Sequence, residues 1–243
     1  MNRSEIQTEY TWDLSHIYAN DEQFDQDILT TKQLIKELVE QQTTFLDTED
    51  SFYHFLIKQT KLDRLLSKLY CYCHLYRDVE PDNQIINQQF AKVMSLYEDA
   101  SQKLTFVDLK IIENKEQVQS YLTNERFKDY RKPIEETLRL STHILDQKTE
   151  DLLSLASPIL ETGSDVFEVL RPEFEPVIVN GKEEFLNQGT LSKFLKNENE
   201  EVRKQAYHNF FKEYQKYESV YAKTLASTMK KDAFYAKVRK FDN

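Results

Sequence analysis

The chain holds only three glycines and five prolines in 243 residues. These are too few to build a many-stranded β fold, because β-hairpins consume Gly, Asn and Asp in their turns. The chain must therefore consist of long elements with few connections. A chain of this length buries enough surface to fold without disulfides or a structural metal. The sequence predicts a mainly α fold, a helical bundle with long antiparallel helices and one small β-hairpin.

Two apolar stripes predict the long helices. One lies within Glu49–Asp78 and the other within Asn83–Phe106, and in both the apolar residues recur at alternating spacings of three and four. We expect their connection at Glu80-Pro81-Asp82, since the residue before a proline is disfavoured in a helix. An earlier helix is expected to begin near Asp21 with Asn20 as its N-cap.

Shorter elements are expected between residues 118 and 163. A short helix is predicted around Val118–Leu122, and Pro133 is expected in the first turn of the next helix. Asp146 is a candidate cap for a further helix, which we expect to end at Thr162-Gly163 because glycine commonly follows the last helical residue.

A change of period after residue 170 predicts a β-hairpin. Asn180-Gly181 suits the two positive-φ positions of a type I′ turn, between the strand candidates Pro176–Val179 and Lys182–Phe185. Two of the three glycines and two of the five prolines lie within Pro172–Gly189. The sequence therefore predicts a domain junction here, with domains at residues 1–188 and 189–243.

The charge balance restricts the possible partners. The net charge is −10 and the pI about 5.1, whereas nucleic-acid binding needs clustered Lys and Arg. No stretch has the apolar length of a membrane span or a signal peptide. Cys71 and Cys73 would face different ways on a helix, which suits a reducing compartment. We expect a cytoplasmic protein that binds neither nucleic acid nor membrane.

The sequence carries no complete catalytic motif. Among the five histidines none is followed by Glu and no two are four residues apart, so a His-Glu-x-x-His zinc motif is absent; they are His16, His54, His74, His143 and His208. Cys71 and His74 could share a helix face, but a zinc site would need two more ligands. No glycine-rich phosphate loop or Gly-x-Ser-x-Gly nucleophile is present. We expect no catalytic, cofactor-binding or metal-ligating residue in this chain.

The last 45 residues are densely aromatic, with Tyr207, Phe210, Phe211, Tyr214, Tyr217 and Tyr221 at helical spacing. That spacing is more typical of a packing seam than of a ligand platform. Apolar residues cover more than one face of Val202–Arg239, which predicts burial against several neighbours. Because no helix stop signal follows, we expect the chain to be truncated and an apolar patch to remain at Phe211, Tyr214 and Tyr221.

An ordered series of motifs resembles the front part of oligoendopeptidase F, a zinc peptidase family (M3) of the thimet-oligopeptidase-like clan. The motifs are Thr11-Trp12-Asp13-Leu14-Ser15-His16-Ile17-Tyr18, Arg139–Leu145 with Thr149-Glu150-Asp151-Leu152-Leu153, Leu191–Leu195 with Val202–Tyr207, and Tyr214, Ala222, Thr224-Leu225 and Ala236–Arg239. Thr142 stands where proline is common in the family, and Asn199-Glu200-Glu201 replaces a more usual Asp-Arg. Both departures fall in caps or turns.

The resemblance implies a deep, mostly helical bowl that cleaves short peptides inside the cell and excludes folded proteins. The family's zinc ligands and general base lie on a helix in its second half and have no counterparts here. Residues 1–188 then form the N-terminal helical domain, and 189–243 the first helices of the peptidase domain. The implied cofactor is zinc in the full-length parent, with none in this chain.

Two functions follow as hypotheses. In the first, the chain is the N-terminal part of the peptidase, supplies channel wall and scaffold, and is inactive without the C-terminal peptidase domain. Alone it would self-associate through its uncovered aromatic residues. In the second, it is a stand-alone helical protein-interaction module without enzymatic activity.

Overall fold

A computed structural model describes residues 6–80 and 83–242. It confirms the mainly α fold with one small antiparallel β-hairpin. The α-helices are α1 (Asp21–Glu40), α2 (Glu49–Val79), α3 (Gln84–Lys103), α4 (Phe106–Glu113), α5 (Lys115–Leu122), α6 (Lys128–Arg139), α7 (Gln147–Val169), α8 (Gln188–Leu195), α9 (Glu200–Lys216) and α10 (Glu218–Val238). Strands β1 (Val177–Val179) and β2 (Lys182–Glu184) lie between α7 and α8. Within the described residues, no helix combines the length and apolarity that crossing a bilayer requires.

The chain divides after Leu155 into two compact units. The division differs from the predicted junction at 188/189, because the hairpin shares a hydrophobic core with α8 and α9. That core contains Val177, Leu186, Phe194, Val202, Ala206 and Phe210. The assignment of residues 189–243 to a peptidase domain stays a prediction.

Side-chain caps determine where the first two helices begin. The Asn20 side chain accepts a hydrogen bond from the Gln23 backbone N–H, which confirms the predicted cap of α1. Helix α2 begins with a reciprocal capping box between Thr48 and Ser51. Each cap satisfies backbone donors that the first helical turn leaves unpaired.

The pair α2 and α3 forms the centre of the first unit and agrees with the predicted helices. Phe52, Phe55, Leu62, Leu66 and Leu69 of α2 are buried along one stripe. Tyr70 meets Phe90 of α3 at a ring-centroid distance of 5.8 Å, so the helices fold back on each other. Of the predicted connection, Pro81 and Asp82 lie outside the described residues.

Two sequence predictions about helix ends are wrong. Pro133 lies inside α6, not in its first turn, because α6 begins at Lys128 directly after a 3-10 turn at Glu125–Phe127. Helix α7 runs through Thr162-Gly163 to Val169. Gly163 is instead a packing position, where an added Cβ would lie 2.7 Å from the Cβ of Ser227 in α10.

The hairpin of the second unit has the predicted turn. Asn180 and Gly181 have φ values of 52° and 76°, as a type I′ turn requires. The Ile178 backbone N–H donates to the Gln205 side chain of α9 at 2.9 Å. Val177 is fully buried, so the small sheet is stabilised by packing on a helix.

Candidate functional site

The described histidines do not converge on one site. The ring of His54 contacts the Asp50 carbonyl of its own helix, and His16 Nε2 lies 3.4 Å from Asp13. His74 pairs with Asp78 one turn along α2, with 3.1 Å between Nδ1 and the carboxylate. His208 contacts the ring of its chain neighbour Tyr207. Each of these four histidines therefore contacts a group nearby in the chain.

The Cys71–His74 pair gathers no further metal ligand. Cys71 is exposed and Cys73 is buried, and burial raises the pKa of Cys73 to about 12. In the part of the chain that the structure describes, no group of three or more His, Cys, Asp or Glu side chains could hold a metal ion. That the chain contributes no catalytic residue stays a prediction.

The structure brings the predicted aromatic residues together at the α9–α10 turn. Phe211, Tyr214 and Tyr221 line one groove of about 390 Å³, with Gln215, Glu218, Ala222 and Leu225. The rings of Tyr214 and Tyr221 are 5.5 Å apart. Burial raises the pKa of Tyr221, so its phenol stays neutral. The groove has no nucleophile beside a base and can act only by packing and hydrogen bonding.

The aromatic stripe divides between core and surface. Phe210 is buried in the core of the second unit and stacks on Phe174 with a centroid distance of 4.7 Å. Tyr207, one turn earlier, and Phe211, the next residue, are exposed. The predicted packing seam therefore holds for one face of α9, and the next face is open.

Sequence reasoning missed part of the exposed apolar surface. Leu225 and Met229 of α10 are each 64% exposed, and Ile159 of α7 is 76% exposed. Leu225 and Met229 are four residues apart and so lie on one face of the helix. That spacing, next to the aromatic stripe, was the signal that could have identified them.

Two ion pairs lie on the helices of this unit. The buried carboxylate of Glu213 accepts from Lys216 one turn on, and this bond raises the pKa of Lys216. Lys231 of α10 donates to both carboxylate oxygens of Glu161 in α7, at 2.9 and 3.0 Å. The first pair lies within α9, and the second joins α10 to α7. Exposed apolar surface of this kind is typical of a contact site for another domain or chain.

Comparison with known proteins gives consistent matches. A family profile described as Oligopeptidase F matches residues 114–171. Oligopeptidase PepF of Bacillus subtilis (strain 168) is 33% identical over 248 residues, which cover 99% of this chain and 37% of the relative. Oligoendopeptidase F of Lactococcus lactis subsp. cremoris is 28% identical over 250 residues, and the match covers 100% of this chain and 41% of the relative.

A solved structure shares the fold. The crystal structure of oligoendopeptidase-F from Enterococcus faecium superposes with a TM-score of 0.81 at 25% identity. The match covers 92% of this chain and 45% of that one. The chain thus spans less than half the length of each of these three proteins.

Proposed function

Because this chain matches the N-terminal portion of oligoendopeptidase F in sequence and in fold, we propose that it is the scaffold portion of a zinc endopeptidase that hydrolyses short peptides. The observation that carries the proposal is the extent of the match. Nearly every residue aligns, at 33% identity, with a relative more than twice as long. We expect the chain to be inactive alone.

The zinc that the family implies has no fitting donor set here. The sequence lacks His-Glu-x-x-His, and no three suitable side chains meet within residues 6–80 and 83–242. Zinc sites need three or four protein ligands held in fixed geometry. We therefore assign the metal and the hydrolytic step to the remainder of the parent enzyme and none of that chemistry to this chain.

This chain's contribution is a rigid surface. The groove at Phe211, Tyr214 and Tyr221, with Leu225 and Met229 beyond it, is apolar and partly open. We propose that the C-terminal peptidase domain covers it in the parent enzyme, and that the two parts together wall a channel for short peptides. Free thiols at Cys71 and Cys73 suit a cytoplasmic enzyme.

The same surface should cause self-association when the chain is alone. Exposed apolar side chains on an ordered face favour association, so we expect the isolated chain to form dimers or larger species. A Leu225→Lys, Met229→Lys double variant should be monomeric by light scattering. Lys230→Gln, an exposed change on the same helix, should leave the association intact.

A chimera tests the proposal. In the chimera, this chain replaces the matching portion of the Bacillus subtilis relative. Two quantities are measured, the zinc content and the rate of hydrolysis of a quenched short peptide. We expect zinc and peptide hydrolysis in the chimera and neither in the isolated chain. The Leu225→Lys, Met229→Lys pair should reduce the chimera's activity by about tenfold or more, since buried charges without partners are costly, while Lys230→Gln should not.

The stand-alone interaction module predicts a different outcome. A chimera that binds zinc and folds but cleaves no short peptide would contradict the scaffold assignment. It would favour the interaction module if the isolated chain were also monomeric at high concentration.

A further inference from the structure

Helix α10 carries a heptad pattern of apolar residues. They recur at alternating spacings of four and three, and they are Ala222, Ala226, Met229, Ala233 and Ala236. In a heptad labelled a to g, these residues occupy positions a and d, the positions that face a partner helix in a coiled coil. At a rise of about 1.5 Å per residue, this seam is about 21 Å long.

The seam lies on the side of α10 that faces away from α7. Ala222, Met229 and Ala233 are exposed, and the other two seam residues are half-buried. Among the described residues of α10, Thr224 alone is buried. Thr224 and Ser227 meet Gly163 of α7, and the helical period places both on the opposite side from the seam. Because most of a helix's stability comes from packing one face, a 21-residue helix with one buried side chain suits a further partner.

The seam is continuous with the aromatic groove. Glu218, Ala222 and Leu225 of α10 line that groove together with Phe211 and Tyr214 of α9. The aromatic side chains therefore extend the apolar surface at the start of α10. Alanine at most of the a and d positions lets a second helix axis come close. This surface therefore fits another helix.

Charged side chains line both edges of the seam. Position e is always lysine, at Lys223, Lys230 and Lys237. Position g holds Glu218, Leu225 and Asp232. Within residues 6–80 and 83–242, the one ion pair of α10 joins Lys231 to Glu161, so the charges at positions e and g form none there. In coiled coils, these two positions determine which helix binds and in which direction.

The two edges are complementary when two copies of α10 lie side by side and parallel. Position g of one helix then faces position e of the next heptad in the other helix. Glu218 faces Lys223 of the second copy, and Asp232 faces Lys237. In an antiparallel pair e faces e and g faces g, so lysine meets lysine and carboxylate meets carboxylate. Only the parallel arrangement brings opposite charges together.

We propose that a second copy of this chain binds along α10, with the two α10 helices parallel and related by a two-fold axis. Ala226, Met229 and Ala233 form the centre of the contact, and the charges at positions e and g fix its direction. Lys230 faces Leu225 of the second copy and makes no ion pair. A contact of this symmetry closes on itself and gives a dimer. The inference rests on the self-association expected under the proposed function and is independent of the peptidase assignment.

Cysteine cross-linking of the full chain tests the direction of the pair. Ala222→Cys and Ala236→Cys are made separately in a Cys71→Ser background and oxidised with diamide. A parallel pair brings each position next to its own copy, within reach of a disulfide, so each variant alone should give a covalent dimer on a non-reducing gel. An antiparallel pair would cross-link only a mixture of the two variants. Lys196→Cys, an exposed change outside α10, is the matched control and should stay monomeric on the gel.

Charge reversal tests the edges of the seam. Two double variants, Lys223→Glu with Lys237→Glu and Glu218→Lys with Asp232→Lys, should each dimerise at least about tenfold more weakly, since every attraction across the pair becomes a repulsion. Mixed together, the two variants should form a heterodimer, because each then meets opposite charges. Lys230→Gln should leave the dimer intact. Analytical ultracentrifugation measures the association, and circular dichroism confirms that each variant is folded.

Two results would overturn the proposal and leave the self-association itself in place. One is cross-linking only in the mixture of Ala222→Cys and Ala236→Cys, and the other is parental dimerisation in both charge-reversed variants. A chain that stays monomeric at millimolar concentration would overturn the expected self-association together with the proposal. Peptide hydrolysis by the chimera would still support the peptidase assignment in that case.

Discussion

Ser227 of α10 packs against Gly163 of α7 so closely that a Cβ on the glycine would lie 2.7 Å from the serine Cβ and 2.8 Å from its Oγ. Gly163→Ala should therefore destabilise the second unit. The alanine gains about 1 kcal/mol of helix propensity, but overpacking costs about 1–3 kcal/mol because the Cβ of Ser227 is fixed to the backbone. Urea unfolding measures the net loss.

Gly189→Ala is the matched control, since the nearest atom to its added Cβ is 3.4 Å away. Because Gly189 also lies in a helix, the gain in helix propensity is not opposed by a clash there, and the unfolding midpoint should stay the same or rise. A Gly163→Ala variant with a higher midpoint than the parent would contradict the close packing.

The two cysteines should differ in reactivity. Cys71 is exposed, whereas Cys73 is buried and burial raises its pKa to about 12. Because the thiolate is the reactive form, a thiol reagent at mildly alkaline pH should label one cysteine per native chain and two in denaturant. Mass spectrometry counts the labels, and Cys71→Ser should remove native labelling. Fast labelling of Cys73 in that variant would show that α2 opens.

Arg126 should control the acid titration of Asp50. The guanidinium bonds Asp50 at 2.6 Å and Glu49 at 2.7 Å, and the Arg126 bond holds the pKa of Asp50 below its usual 3.8. A lowered folded-state pKa stabilises the fold above the ordinary value, and that contribution is lost as the pH falls through the folded value. NMR titration should find the Asp50 pKa returning toward 3.8 in Arg126→Gln.

Arg139→Gln provides the reciprocal control. Arg139 lowers the pKa of Glu136, so this variant should raise the Glu136 pKa and leave Asp50 unchanged. An Asp50 pKa that is the same in Arg126→Gln and in the parent would refute the pairing.

The hairpin turn should tolerate asparagine and reject valine at position 181. Gly181 has a φ of 76° and an added Cβ would meet nothing within 4 Å, so the cost of a substitution is conformational alone. Gly181→Val should lose about 1–2 kcal/mol of unfolding free energy. Gly181→Asn should lose less, because asparagine enters this region more readily. Equal losses in urea unfolding would contradict the assigned turn.

The elements that were predicted correctly are those whose structure depends on a pattern within one segment of the chain. The apolar stripes of α2 and α3 specify long helices whatever they pack on, and Asn180-Gly181 specifies a turn locally. Gly163 was misinterpreted because a glycine after a helix and a glycine at a close helix crossing give the same sequence signal. Only the position of Ser227, 64 residues later in the chain, separates the two.

The candidate sites followed the same division. Phe211, Tyr214 and Tyr221 were predictable because one helical face and the following turn bring them together. The exposure of Ile159 on α7 was not, since the burial of an apolar helical residue depends on which distant segment packs against it. No local pattern marks that choice.

The order of packing in the first unit has a kinetic consequence. Helix α1 packs on α2 and α2 on α3, so each helix finds its partner in the next segment to be synthesised. Contacts close in sequence cost little loop entropy and form early. This unit should therefore acquire its core on the ribosome before α9 and α10 have emerged.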